Sequence, residues 1–322
     1  MVFIVLTINA KYYKHVPVLL KEVITELDIR QSGFYCDATF GRGGHAREIL
    51  SRLNKSGRLL VIDCDLEAVK VAKSFALQDK RLIVIHGFFS KITKYAFKLN
   101  ISGSIRGILL DLGVSSPQIE DPRRGFSFRH NGPLDMRMNN SYGQSASDWI
   151  AKASVGDIAY VLRKLGEERF SSRIAKAIVR QRHFHPITTT HRLASLVIDA
   201  IPYYHKHPLA RTFRAIRMYI NRELEEIMKV LESSLTVLSS GGKLLVTSFH
   251  SLEDRIVKDF MYKYSGRYSS IPVDLPVSNA QFRMLSSHQY RLCNVKKIVP
   301  SEREKEINPR ARSAIMRIAE KL

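Results

Sequence analysis

The chain has 322 residues, 45% of them hydrophobic, and 51 Lys/Arg against 30 Asp/Glu give it a net charge of +21. This length and apolar content exclude a disordered chain and suit about two globular domains. The charge calls for a polyanionic partner, nucleic acid before an anionic membrane, and says nothing about fold. Cys36, Cys64 and Cys293 form no C-x-x-C pair, which excludes a zinc ribbon or a disulfide framework and suits a reducing compartment. The opening MVFIVLTINAKYYKH is too short to span a bilayer and lacks the basic start of a signal peptide, so a cytoplasmic location is expected.

Strands and helices alternate in the first third. Strands are predicted at 34–37, 58–63 (RLLVID), 82–86 (LIVIH) and 107–111 (GILLD), with helices at 44–53 and 66–75 between them. Short, continuous apolar runs flanked by helical patterns suggest a parallel sheet covered on both faces. Three of these runs end in an acid: Asp37, Asp63 and Asp111. Ligands of open α/β sheets bind beyond the carboxyl ends of the strands, so the three acids point to one crevice. Any one of them could equally cap the helix that follows.

The rhythm changes after Asp111. Residues 113–138 are rich in Gly, Pro, Ser and Arg, and 145–207 read as helical without a strand. Ile216, Ile220, Leu224, Ile227, Leu231, Leu235 and Leu238 then step by three or four, which predicts one long helix ended by Gly241-Gly242. A strand over 243–249 follows, then a helix whose capping box is Ser251 with Asp254. The last two strands, over 291–299 and 313–319, suggest a hairpin with a long loop. The expected architecture is a Rossmann-like α/β domain, residues 1–125 and 215–322, interrupted by a helical, basic substrate-recognition domain, residues 126–214.

Residues 163–222 hold 13 Lys/Arg against 3 Asp/Glu. Within this segment Arg169, Arg173, Lys176 and Arg180 form a basic stripe, with Phe170, Ile174, Ala177 and Ile178 expected on the core side. The stripe has almost no acidic partners for helical salt bridges, which favours phosphate contact over a merely solvated face.

The chemistry centres on GRGGHA, residues 41–46. Its glycines suit close backbone approach, and the helix that follows offers free N–H groups and a positive dipole end. Asp63, 22 residues after Gly41, is placed to accept two ribose hydroxyls. Both NAD and S-adenosylmethionine carry such a ribose. Asp37 favours the second, because an acid beside a pyrophosphate would be repelled and one beside a sulfonium or ammonium attracted. In ILLDLGVSSPQ, Asp111 and the turn bearing Ser115 and Pro117 could hold an exocyclic amine and aim its lone pair at a methyl group. RRGFSFRHNGP interleaves Arg123 and Arg124 with two Phe, a composition for gripping phosphate and stacking a base. Arg310 and Arg312 in NPRARS are further candidates for RNA contact. His183, His185, His191, His205 and His207 lack the ligand economy of a zinc site, and SFHSLEDR fits no hydrolase template, so no metal is expected.

YKHVPVLLKEV, DATFGRGGH, HGFFS, the unbroken stretch from Gly107 to Met138, GEERFSSRIAKAI, HPLARTFRAIRMYINRELE, SFHSLEDRIVK and NPRARS together resemble the RsmH (MraW) family. The resemblance runs from about residue 14 to 320. It implies a class I methyltransferase fold with an inserted helical domain. It further implies S-adenosylmethionine as cofactor and, as substrate, the N4 amine of a cytidine in the decoding region of 16S rRNA, naked or in the small ribosomal subunit. It puts the cofactor loop on Gly43, Gly44 and His45, the ribose acid on Asp63, the aromatic beside adenine on Phe89, and further contacts on Asp111 and Gln118. Before that resemblance, an NAD-dependent oxidoreductase and a non-catalytic RNA-binding protein on the same fold stand as alternatives.

Neutralising Arg173, Lys176 and Arg180 together tests the stripe. The salt dependence of RNA binding, measured as log K against log salt, should flatten by about 2 units, since each single-strand phosphate contact carries about 0.7. An unchanged slope would make the stripe a solvated face.

Overall fold

The computed structural model describes residues 17–201, 207–266 and 291–322; the apolar N-terminal segment and His205 lie outside them. Seven strands form one sheet in the order β3-β2-β1-β4-β5-β7-β6. They are β1 (Phe34–Asp37), β2 (Arg58–Asp63), β3 (Leu82–His86), β4 (Ile105–Asp111), β5 (Leu238–Ser248), β6 (Leu292–Ile298) and β7 (Ile315–Lys321). The first five pair in parallel, and β7 runs antiparallel to both β5 and β6. The hairpin expected at the end is present, with a short helix (Glu302–Ile307) in its connection.

The period of two along each strand divides the core. Leu60, Ile62, Ile108, Leu110, Leu244 and Val246 face one side, packing with residues of the helices Ile92–Lys98, Glu223–Val237 and Ser251–Ser265. Leu59, Val61, Leu109 and Leu245 face the other, packing with Leu20–Leu27, Gly44–Arg52 and Leu66–Gln78. Both faces are covered, which is why the strands read as unbroken apolar runs. A third core draws on residues from Phe126 to Ile216, including Trp149, Ile158, Leu162, Ile174, Ile178, Leu193 and Phe213. The segment between β4 and β5 therefore has its own apolar centre.

Numbered in chain order, the helices are α1 (Leu20–Leu27), α2 (Gly44–Arg52), α3 (Leu66–Gln78), α4 (Ile92–Lys98), α5 (Ser116–Glu120), α6 (Ala146–Lys152) and α7 (Val155–Lys164). They continue as α8 (Ser171–Arg182), α9 (Thr190–Asp199), α10 (Pro208–Ile220), α11 (Glu223–Val237), α12 (Ser251–Ser265) and α13 (Glu302–Ile307). Among the described residues no helix is long and apolar enough to cross a membrane.

Three local expectations need correction. The single helix expected across 216–238 is two, α10 and α11, because Arg222 takes a left-handed conformation with φ 50°. The apolar stepping continues through the corner because each half buries a face, α10 against the third core and α11 against the sheet. The Gly241-Gly242 pair does not end the helix; α11 stops at Val237 and the glycines lie within β5. The box that opens α12 is not Ser251 with Asp254. His250 is the N-cap, its Nδ1 accepts from the Leu252 N–H, and Glu253 accepts the His250 N–H.

A buried ion pair ties residues 122–138 to the start of α3. Arg124 donates to Asp65 Oδ2 at 2.8 Å and to the Arg137 and Met138 carbonyls at 3.1 and 2.8 Å. Asp65 also caps α3 by accepting the Glu67 N–H, and takes a hydrogen bond from Gln118 Nε2 at 2.9 Å. This corrects the expectation that Arg124 contacts RNA: its side chain is 9% exposed and its donors are spent inside the protein. Arg124→Ala should lower stability by about 3 kcal/mol, because it strands the Asp65 charge in a buried site. The midpoint of urea unfolding measures this; an unchanged midpoint with weakened RNA binding would restore the surface role.

Candidate active site

The carboxyl ends of β1, β2 and β4 place Asp37, Asp63 and Asp111 around one crevice. Register fixes their spacing, with Asp37 beside Val61 and Leu109, and Asp111 beside Thr247 of β5. Thr39 stitches two of these ends together: its N–H donates to Asp37 Oδ1 at 3.1 Å, and its Oγ1 accepts the Asp111 N–H at 2.7 Å. Asp63 accepts the Gly41 N–H on one oxygen and the Asp65 N–H on the other, both at 2.8 Å. The loop and the second strand end are thereby locked to each other.

The glycine loop divides its labour. Gly41, at φ 55°, has open space where a side chain would project, with nothing nearer than 4.0 Å. Gly43 is the left-handed N-cap of α2, and a Cβ there would come within 2.7 Å of the Phe40 ring and 2.8 Å of Phe75. At Gly44 a Cβ would run into Pro17. These two are glycines because the protein packs against them, which corrects the expectation that all three clear a path for a ligand. His45 is buried, with Nε2 3.3 Å from the Val18 carbonyl and Nδ1 4.0 Å from Asp111 Oδ2. Burial pushes its pKa down to about 4, so it is neutral at pH 7.

The acids are held in an environment that disfavours their charge. Desolvation raises Asp37 to about 7, with Asp63 adding repulsion against the opposing Thr39 hydrogen bonds. Desolvation raises Asp63 to about 6 despite its backbone donors. Asp111 rises to about 8 through desolvation and the nearby Asp37 and Glu253 carboxylates. Asp111 Oδ1 is buried without a hydrogen-bond partner. Three desolvated acids and an orphaned oxygen form a site that a cation relieves and a pyrophosphate aggravates. The donor set fits the sulfonium and ammonium of S-adenosylmethionine.

Phe89 opens a short 3-10 turn after β3 and packs, partly buried, against the sheet core. Gln118 is buried; it accepts the Ser115 N–H at 2.8 Å and donates to Asp65, so its contacts in this structure are with the protein. Ser115 is the N-cap of α5 and Pro117 sits in its first turn, so both set the direction of the chain leaving Asp111. Arg173, Lys176 and Arg180 lie exposed on α8, and Arg169 is exposed before the helix begins. Ala175 rather than Ala177 is the fully buried alanine of α8, and Phe170 is its N-cap, half-buried. Arg123 pairs with Asp121 while 86% exposed, Arg310 lies 3.6 Å from Glu120, and Arg312 is exposed. Asp65 and Thr39 were not singled out from the sequence. The D-x-D spacing of Asp63 and Asp65 just before a helix was the available signal for the first.

A sheet of this order with one antiparallel strand beside β5, an acid at the end of β2 and a glycine turn after β1 defines a class I, S-adenosylmethionine-dependent methyltransferase. The sequence matches the MraW methylase family over residues 12–322, and the chain belongs to that family. Among solved structures, it is similar to a Clostridium thermocellum protein described as an rRNA methylase, at 11% identity and TM-score 0.45, covering 96% of this chain and 100% of that one. An rRNA methylase from Streptococcus thermophilus matches at 11% identity and TM-score 0.42, over 96% of this chain and 99% of that one. A Streptococcus mutans protein described as a methyltransferase, in complex with SAH, matches at 14% identity and TM-score 0.40, over 96% and 100%. These likenesses are remote, and the assignment rests on the family match.

The raised acids give cofactor binding a pH dependence. A bound cation favours their ionised forms, so binding releases protons and affinity rises with pH. Between pH 6 and 8 the Kd for S-adenosylmethionine should fall by about tenfold for each proton released per pH unit. The neutral sulfide S-adenosylhomocysteine should show a shallower slope. Titration calorimetry in two buffers of different ionisation enthalpy reads both. In the free protein the sign is opposite: stability from these raised acids is complete below the ordinary carboxylate range and is lost as pH rises through 6 to 8.

Proposed function

We propose that this methyltransferase acts on the exocyclic N4 amine of a cytidine in the decoding region of 16S rRNA, in the cytoplasm. The observation that carries the reading is Asp111, an acceptor at the substrate end of β4 with one oxygen buried and unpartnered, in a chain whose inserted segment is strongly basic. The family resemblance of the sequence supports the same substrate.

The bound cofactor supplies an electrophilic methyl group. Asp63 would hold its ribose, the backbone of residues 41–45 its methionine end, Phe89 its adenine, and Asp37 and Asp111 would balance its positive charge. The amine of cytosine is a poor nucleophile, because its lone pair is delocalised into the ring. The Asp111 carboxylate, 25% exposed with Oδ1 buried, can accept one N–H of that amine on Oδ2 and fix the direction of the lone pair. The gain is alignment, and small misplacement costs about 10²-fold. Ser115 and Pro117 set the turn that frames the amine. His45, neutral and locked by the Val18 carbonyl, leaves Asp111 without a cationic partner in the free protein. Arg169, Arg173, Lys176, Arg180, Arg123, Arg310 and Arg312 would contact the RNA backbone, bringing an unpaired or extruded base to the crevice.

The decisive measurement is transfer of labelled methyl from S-adenosylmethionine to small subunits and to naked 16S rRNA from cells lacking the modification. Label recovered as N4-methylcytidine is expected, and Asp111→Asn should lower kcat, measured at saturating cofactor, by about 10²-fold, beyond the loss of cofactor affinity that removing its charge brings. Label in no RNA would leave a non-catalytic RNA-binding protein as the reading.

A further inference from the structure

Arg211, Arg214 and Arg217 step by three along α10 and line one side of the junction between the inserted segment and the end of β5. Their partners differ. Arg217 makes a two-pronged pair with Glu223, both contacts at 2.8 Å. Arg211 lies 3.8 Å from the fully buried carboxylate of Glu168. Arg214, between them, has no ion pair among the described residues. One of its terminal nitrogens donates to the Gly166 carbonyl at 3.2 Å, and its Nε is buried without a hydrogen-bond partner. Desolvation lowers its pKa. A half-buried cation with an unspent donor costs free energy unless an anion arrives to meet it.

His250 lies on the other side of this junction, at the N-cap of α12. Its Nδ1 accepts the Leu252 N–H, so its proton sits on Nε2, which points to the Glu167 carboxylate at 3.8 Å, beyond hydrogen-bond range. Burial first, then the Arg214 and Arg217 charges, keep this ring neutral, with a pKa near 4. Glu167, 51% exposed, and the buried Glu253 are the carboxylates whose charge acts on Arg214, and neither forms an ion pair with it. The junction is continuous with the crevice: His250 follows three residues after Thr247, the register partner of Asp111, and Glu253 takes the N–H groups of Phe249 and His250.

We propose that Arg214, with the Nε2–H of His250 beside it, receives a backbone phosphate of the target nucleotide. The unpaired charge favours an anion over the neutral edge of a base, and Arg presents the donor geometry for phosphate oxygens. Arg214 is then a positioning residue: it fixes the strand on the substrate side of Asp111 while the base reaches the crevice. The inference rests on the cytidine substrate proposed above.

The test pairs a protein change with a chemical change in the RNA. Binding of a decoding-region fragment is measured for wild type and Arg214→Met, with ordinary phosphodiesters and with a neutral methylphosphonate placed singly on either side of the target cytidine. The wild type should lose about tenfold in affinity at one of the two positions, and Arg214→Met should bind ordinary RNA about tenfold more weakly yet show no further loss at that position. Arg214→Lys keeps the charge but loses the planar fork and should restore only part of the affinity, and the melting temperature of Arg214→Met should fall little, because what it loses among the described residues is one hydrogen bond to the Gly166 carbonyl and no ion pair. Equal losses for both RNAs, or no loss, overturn the inference. If Arg214→Met fails to fold, His250→Gln in the same cycle decides, because its loss should also vanish at that methylphosphonate. Methyl transfer by the wild type to the ordinary fragment is measured alongside: no transfer overturns the substrate reading and this inference with it, whereas transfer without coupling overturns this inference alone.

Discussion

The carboxylate of Asp65 is the point on which the arrangement of the crevice depends. One oxygen caps α3, and the other takes hydrogen bonds from Gln118 and Arg124. Through the first, the turn after β2 keeps the shape that presents Asp63. Through the second, the start of α5 and the Arg124 clamp on the Arg137 and Met138 carbonyls are fixed to the same place. Three segments far apart in sequence share one buried charge. A buried pair of this kind does not make a strong case for net stability, because desolvation offsets much of the attraction. Its effect is geometric: the walls of the crevice keep their spacing.

With those walls held, the electrostatics follow from burial. Asp37, Asp63 and Asp111 are placed by strand register at the ends of strands that helices cover on both faces, Asp37 buried and the other two half-buried. Nothing cationic in the described protein neutralises them; the nearest candidate, His45, is itself held neutral. The site is therefore an incomplete ionic arrangement whose missing member is positive. This distinguishes it from the dinucleotide sites that share the glycine pattern, where the loop and helix end face phosphate.

Much of the sheet was legible in the sequence. β1, β2 and β3 have the predicted limits, because strands buried on both faces write continuous apolar runs. What was not legible had long-range causes. The corner at Arg222 is hidden because apolar spacing continues across it, although the two halves face different cores. Arg124 looked like its exposed neighbour Arg123, and only a partner 59 residues earlier makes it internal. The glycines of the loop could not be sorted into one that faces open space and two against which the protein packs until Phe40, Phe75 and Pro17 were placed around them. His250 as a helix cap follows from no propensity rule, since Ser, Thr, Asp and Asn lead at that position.

The corner between α10 and α11 sets a distance. Asn221 stands at it, accepting the Met138 N–H and donating to the Met136 and Arg217 carbonyls. One side chain thus joins the last helix of the third core, the first helix back on the sheet, and the loop that Arg124 clamps. The segment between β4 and β5 is consequently held at a set offset from the strand ends. On the proposed function, a strand held on the basic face of α8 would offer the crevice only those nucleotides that lie the right length of backbone away, and the choice of nucleotide would begin as a measurement before it became chemistry.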